Sequence, residues 1–279
     1  MCFVLCILVE PAVAKVEWEV KTQFVLDNAP MEVKVSAKGK WIFVLSDDNK
    51  ILIYSPDGKL KDTLNPGYPV SSITPGPQDN ILLLNSLEKK KIEVINFSFI
   101  EVINTMGSPV KGDENSPVEI VVFSDFQCPY CARLTPVLEE VLSLYPGIVK
   151  IVFKHYPLKT HDMALKAAAV SIMAERKGKF WETHDRLFDN YNQLSEKKIL
   201  EIAMDAGLDE VTIQRNWKNK RTYQQIYKDI IDGQKAGVDG VPKVFINGRV
   251  LKNRDLNGFK TMIKQETVGL ETPNKNKPQ

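Results

Sequence analysis

Cys128 and Cys131 stand two residues apart in the stretch 119–133, EIVVFSDFQCPYCAR, where an apolar β-branched run passes directly into a helical pattern. Two thiols at that spacing on the first turn of a helix can close a small disulfide, so the stretch reads as a redox site. Unpaired backbone N–H groups and the helix dipole direct positive potential at the Cys128 sulfur and favour its thiolate. A free cysteine titrates near ~8.5, whereas C-x-x-C sites fall to roughly 3.5–7.5. Lowering that pKa stabilises the dithiol and makes the disulfide the more oxidising. Pro129 suits the first helical position, having no N–H to leave unsatisfied, and Pro129 and Tyr130 are expected to tune the balance. A purely structural disulfide is the competing reading. Zinc lacks a second ligand pair, because His155, His161 and His184 show no ligand spacing to the cysteines; all three read as packed core histidines.

The elements around this pair follow from periodicity. Leu134, Val137, Leu138, Val141 and Leu142 recur at three-to-four spacing and extend the helix beyond Cys131. Residues 148–153 (IVKIVF) read as a buried strand, and residues 160–235 as helical throughout, with Ser195 and Asp209 as N-caps. Val241-Pro242 opens a hairpin, 244–246 and 249–251 around Asn247-Gly248, and a helix over about 255–267 closes the pattern. Upstream, short β-branched runs at 41–45, 51–54, 81–84 and 92–96 alternate with turn signals, which makes residues 15–105 all β. This half repeats with a shift of about 39 residues, near the period of a propeller blade. Two blades cannot close a propeller, so the half must pair across a dimer or fold as a small sandwich. Gly, Pro, Ser and charge then mark 106–116 as a linker.

Residues 1–14 are apolar and end Ala12-Val13-Ala14, the pattern of a cleaved signal peptide. Its removal takes away Cys2 and Cys6 and leaves only the pair at 128 and 131, in a compartment where disulfides persist. The tail 269–279 is polar and expected to be disordered. A net charge of +2 on 279 residues argues against nucleic acid as a partner.

Four blocks, FSDFQCPYC at 123–131, KHYPL at 154–158, KFWETHD at 179–185 and GVPKVFING at 240–248, resemble in order and spacing the DsbA-like branch of the thioredoxin superfamily. The resemblance covers 117–268. It implies an α/β thioredoxin fold with a helical insertion, preceded here by the small all-β domain. It also implies thiol–disulfide exchange on exported proteins, with no cofactor beyond the Cys128–Cys131 disulfide, in the periplasm or another extracytoplasmic space. By the same resemblance Pro242 is cis and faces the cysteines, and Val241 lines the groove for an extended substrate. Relatives often carry an acid six positions before the first cysteine, where this chain has Val122. Asp125 or Glu119 is the expected replacement, Asp125 being favoured as the nearer in sequence unless it only caps the 126–127 turn. Oxidation of cysteine-bearing clients, with recharging by a quinone-linked membrane partner, is the leading expectation. The alternatives are an isomerase or reductase, dimerised through the β domain and kept reduced by a membrane partner, and a non-catalytic peptide-binding protein. The Pro-Tyr dipeptide does not decide among them.

Overall fold

The computed structural model describes residues 16–267, so the expected signal segment 1–14 and tail 269–279 lie outside the described residues. The chain divides into two compact units between Ser98 and Phe99.

The first unit is two antiparallel meanders. β1 (Pro30–Val35), β2 (Ile42–Ser46), β3 (Ile51–Tyr54) and β4 (Leu60–Leu64) form one sheet in chain order. The second sheet is β5 (Ser72–Pro75), β6 (Ile81–Ser86) and β7 (Lys91–Asn96). Asn49 turns the β2–β3 corner at φ 64°, a left-handed conformation that asparagine tolerates. Its side chain bonds Tyr68 O and Val70 N, each at 2.6 Å, tying that turn to the segment leading into β5. The first strands of the two meanders lie side by side: the Ile73 N–H donates to Glu32 Oε2 at 2.7 Å, and Ser36 Oγ donates to Asp79 Oδ1 at 2.7 Å. The repeat is offset by 40 rather than 39 over the first hairpins: Val33 pairs with Val44 and Ile73 with Leu84, and 73 − 33 = 84 − 44 = 40. A one-residue change of register exchanges the two faces of a strand, so the difference decides which side chains correspond.

The second unit is a five-stranded mixed sheet flanked by helices. Its strand order is β12 (Arg249–Val250), β11 (Lys243–Ile246), β9 (Val118–Ser124), β10 (Val149–His155) and β8 (Val110–Lys111). β9 runs parallel to β10 and antiparallel to β11, and its run of Val, Ile and Phe is almost wholly buried, as expected of a strand covered on both faces. α1 (Pro129–Leu144) and α7 (Leu256–Thr267) pack Leu134, Leu138, Val141, Phe259 and Ile263 on one side of it. The helices α2 (Ala164–Glu175), α3 (Phe180–Asp189), α4 (Glu196–Asp205), α5 (Glu210–Trp217) and α6 (Gln224–Lys235) make the insertion. Ser195 and Asp209 cap α4 and α5 by accepting from Lys198 N and Thr212 N. Among the described residues no helix is long and apolar enough to cross a membrane.

The stretch 106–116, expected to be a linker, instead supplies the edge strand β8, antiparallel to β10. Residues just before it are already tied to this unit, through Glu101 N to Gly248 O at 2.9 Å and Lys154 Nζ to Asn104 O at 2.8 Å. A two-residue strand among Gly, Pro and charge has no period to reveal it. Lys154 also explains the α6 contact. It is fully buried, and its three donors meet Asp229 at 2.7 Å, Asp232 at 3.0 Å and Asn104 O. Asp229 accepts the His155 N–H as well, at 2.9 Å, while burial pushes its carboxyl pKa up despite the lysine. Gly233 sits where α6 comes close to β10: a Cβ there would lie 2.7 Å from the Tyr156 ring.

Removing Lys154 leaves a buried carboxylate without its cation. Lys154→Ala is therefore expected to cost roughly 3–5 kcal/mol of stability at neutral pH. The loss should shrink as the pH falls and Asp229 takes up a proton, because the neutral acid needs no partner; urea unfolding at two pH values measures both.

Candidate active site

β9 ends at Ser124, and the turn 125–127 carries the chain into α1 with Cys128 as its N-cap, at φ −80° and ψ 121°. Pro129 takes the first helical position and Cys131 follows on the buried side. Both cysteines are free thiols, so the structure shows the dithiol form. The Cys128 pKa is lowered from 9.0 to about 6. Hydrogen bonding from the Cys131 thiol is the main cause, assisted by the backbone N–H groups of Cys131 and Tyr130 and opposed by burial and by the charge of Asp125. The Cys131 pKa moves strongly the other way, first because it is buried and then because its thiol is hydrogen-bonded to the Cys128 sulfur, with repulsion by the Cys128 charge a smaller cause; contacts with Ser124 and the Asp125 backbone offset this only in part. The site holds one thiolate and one thiol, each stabilising that arrangement.

Across the site the Val241–Pro242 peptide bond is cis, and the Val241 carbonyl lies 3.7 Å from the Cys128 sulfur. With that loop over it, Cys128 is only 4% exposed. Tyr130 stands out at 63% exposure, with the Arg133 guanidinium 4.5 Å from its ring centre.

Asp125 is buried, and its carboxylate is fully engaged. Oδ1 accepts the Gln127 N–H at 2.7 Å, and Oδ2 accepts the Leu158 N–H at 2.7 Å and meets His161 Nδ1 at 2.8 Å. It therefore pins the turn under Cys128 to the segment after β10, and its charge raises the Cys128 pKa. His161, expected in the core, is partly exposed and belongs to this cluster. Its role lay outside the reach of sequence spacing, since 36 residues separate the pair. Lys154 and His155, at the end of β10, do not turn toward the sulfur: Lys154 goes to α6, and His155 packs among Phe126, Phe153 and Phe180. Burial lowers the His155 pKa to about 3. His184 completes this aromatic group, its pKa also lowered by burial, and bonds Asp185 at 2.7 Å. Ser124, beneath Cys131, was likewise not singled out; its place at the end of the buried strand four residues before Cys128 was the available signal.

Comparison with known proteins places this geometry. The thioredoxin family model, Thioredoxin_4, matches residues 104–265. The chain belongs to the thioredoxin family. Within curated relatives it is 33% identical over 141 residues to a Na(+)/H(+) antiporter NhaA 3 of Salinispora tropica, covering 50% of this chain and 22% of that protein. The aligned part is thus under a quarter of that relative's length. It is 29% identical over 167 residues to a probable disulfide bond formation protein D of Bacillus cereus, covering 56% of this chain and 76% of that one. In structure it is similar to BdbD from Bacillus subtilis in its oxidised form, with a TM-score of 0.53, 24% identity and coverage of 61% of this chain and 98% of that one. These matches agree with a thioredoxin-like second unit; the thioredoxin expectation for residues 117–268 rests on that unit alone.

Two thiol titrations test the electrostatics. Cys131→Ala withdraws the donor that supports the Cys128 thiolate, so the Cys128 pKa is expected to rise from about 6 toward its ordinary value. Asp125→Asn removes an opposing charge and should lower it. Thiolate ultraviolet absorbance against pH reads both, and an unmoved midpoint in Cys131→Ala would refute the hydrogen-bond assignment.

Proposed function

We propose that the second unit catalyses thiol–disulfide exchange on cysteine-bearing exported proteins and acts mainly as a disulfide donor. The observation that carries this reading is the division of labour at the helix end, a stabilised thiolate at Cys128 beside a thiol at Cys131 that resists ionisation. The redox group is the Cys128–Cys131 disulfide itself. A client thiolate attacks the Cys128 sulfur, the Cys128–Cys131 bond breaks, and Cys131 leaves and takes up a proton. A second client thiolate then attacks the client sulfur of the mixed disulfide, and Cys128 leaves as a thiolate. The client loses two electrons, and the enzyme dithiol holds them until an oxidant, by resemblance a quinone-linked membrane partner, removes them. A low pKa makes Cys128 a good leaving group in the second step. The Val241 carbonyl beside the sulfur can take a backbone N–H of an extended client, with Tyr130 and Pro129 exposed on the other side.

The electrostatic gain has a definite size. A thiol shifted from 9.0 to about 6 is stabilised, relative to an ordinary one, by about 1.4 kcal/mol at pH 7, roughly 30 mV in potential, since only the interval between pH 6 and 7 has been titrated. The sign follows from a depressed pKa: the stabilisation of the dithiol form is full above the ordinary thiol range and vanishes as the pH falls through about 6. It biases the site toward oxidation without making it a strong oxidant by itself. A second reading, isomerase or reductase, draws support from the exposed apolar side chains Ile92 and Val94 of the β unit, which suit a dimeric protein.

The test pairs equilibration against glutathione with oxidation of a reduced client. A potential clearly more oxidising than about −270 mV and client oxidation lost in Cys128→Ser are expected; a value at or below about −270 mV would assign the site to reduction. Equal client folding by wild type and Cys128→Ser would leave only peptide binding.

A further inference from the structure

Exchange at this site moves a proton as well as electrons. Cys131 gains a proton each time the disulfide is donated and must lose one each time the disulfide is rebuilt. Its thiol resists ionisation, first because it is buried and then because it is hydrogen-bonded to the Cys128 sulfur, so a proton acceptor is needed beside it. The acids near it in sequence do not provide one. Asp125 spends its carboxylate on Gln127 N, Leu158 N and His161, and Glu119 pairs with Lys150 at 3.2 Å.

Cys131 lines a narrow cavity of about 10 Å3, room for about one water molecule. Val122 lines the same cavity, in the place where relatives often carry an acid, together with Ser124, Thr135 and His184. Ser124 is also hydrogen-bonded to the Cys131 sulfur. Glu139 reaches the cavity wall as well, but it is exposed and paired with Lys111 at 2.5 Å. That leaves His184 as the titratable group facing Cys131 across the cavity.

His184 is held as an acceptor. Its Nδ1 meets Asp185 Oδ1 at 2.7 Å, and the Asp185 side chain is half exposed. In the neutral ring Nδ1 therefore keeps the hydrogen for the carboxylate, and Nε2 carries the lone pair. Burial lowers the His184 pKa and keeps the ring in that neutral form. Asp185 on α3 and Glu139 on α1 favour a proton on the ring, Lys111 on β8 opposes it, and His155 on β10 stays neutral with its pKa lowered to about 3. Phe153, Phe180, Trp181 and Phe188 fix the ring, with centroids 4.8–5.9 Å away.

We propose that His184, oriented by Asp185, accepts and returns the Cys131 proton across this cavity, with one water molecule as the carrier. The relay rests on the exchange reading above. When the disulfide is rebuilt from a mixed disulfide, the Cys131 S–H bond breaks as its sulfur bonds to Cys128, and the proton passes to Nε2. The bond from Cys128 to the departing sulfur breaks, and that sulfur leaves with the electron pair as a thiolate. The imidazolium, stabilised by Asp185, then releases its proton to water. In donation Cys131 leaves with the electron pair, and a proton returns to it by the same path.

The full chain with Cys2→Ser and Cys6→Ser carries only the two site thiols. Mixed with dithionitrobenzoate, an aromatic disulfide, its reduced form releases one aromatic thiolate as Cys128 attacks and a second as Cys131 resolves the mixed disulfide. Stopped-flow absorbance times both steps. With the relay, the second rate is expected to be flat across neutral pH, since the acceptor is already unprotonated. In His184→Phe, which keeps a ring in the aromatic group, that rate should fall at least about tenfold at pH 7 and climb about tenfold per pH unit, because Cys131 must then ionise unaided. The first release reads only Cys128, whose thiolate His184 does not set, and serves as the fold control. Asp185→Ala, at a half-exposed side chain, leaves the core closed and should slow the second step severalfold. An unchanged second step in both variants, or one slowed with its flat profile intact, would overturn the relay alone. A parent chain that releases no second thiolate would overturn the exchange reading, and the relay with it.

Discussion

The hydrogen bond from a buried thiol to a thiolate, Cys131 to Cys128, is the interaction that the second unit is arranged to keep. It requires one sulfur at the mouth of a helix and the other one turn inside, held on a strand that cannot move. β9 meets the second requirement: it is buried along its length and flanked by partners on both sides, so its end at Ser124 is a fixed point. α1 meets the first, its inner face clamped by Leu134, Leu138 and Val141. The turn between them is tied down by the Asp125 carboxylate, which holds Gln127, Leu158 and His161 at once.

That tie has an electrostatic consequence. A buried carboxylate near Cys128 opposes its ionisation, so the low thiol pKa is the outcome of a contest that short-range hydrogen bonding wins. The histidines cannot supply the missing positive field. His155 and His184 are enclosed by aromatic rings, and burial keeps both toward the neutral form. The buried cation, Lys154, is bound by Asp229 and Asp232 of α6 and serves the packing of the insertion on β10. The potential at the sulfur is thus local, made of one thiol and two backbone N–H groups.

The first unit shows a different economy. The second sheet buries Ile73, Leu82 and Leu84 and leaves Ile92 and Val94 exposed on its other side, whereas β2 of the first sheet is buried on both faces.

What could be read from the chain was whatever is local. The cysteine spacing, Pro129 at the helix start, the caps Ser195 and Asp209, the buried runs of β9 and β10 and the strands around the Asn49 turn all follow from residues within a few positions of one another. The resemblance pointed to a cis peptide at Pro242, which the structure places beside the sulfur. Only the tertiary structure decided what long-range packing sets. Val241 covers Cys128 from 113 residues away, Asp125 spends its lone pairs on Leu158 and His161, and Lys154 turns from the site to α6. In the β half a repeat visible at an offset of 39 is folded at 40, and hydrogen-bond register, which a sequence period cannot resolve to one residue, settles which face is buried.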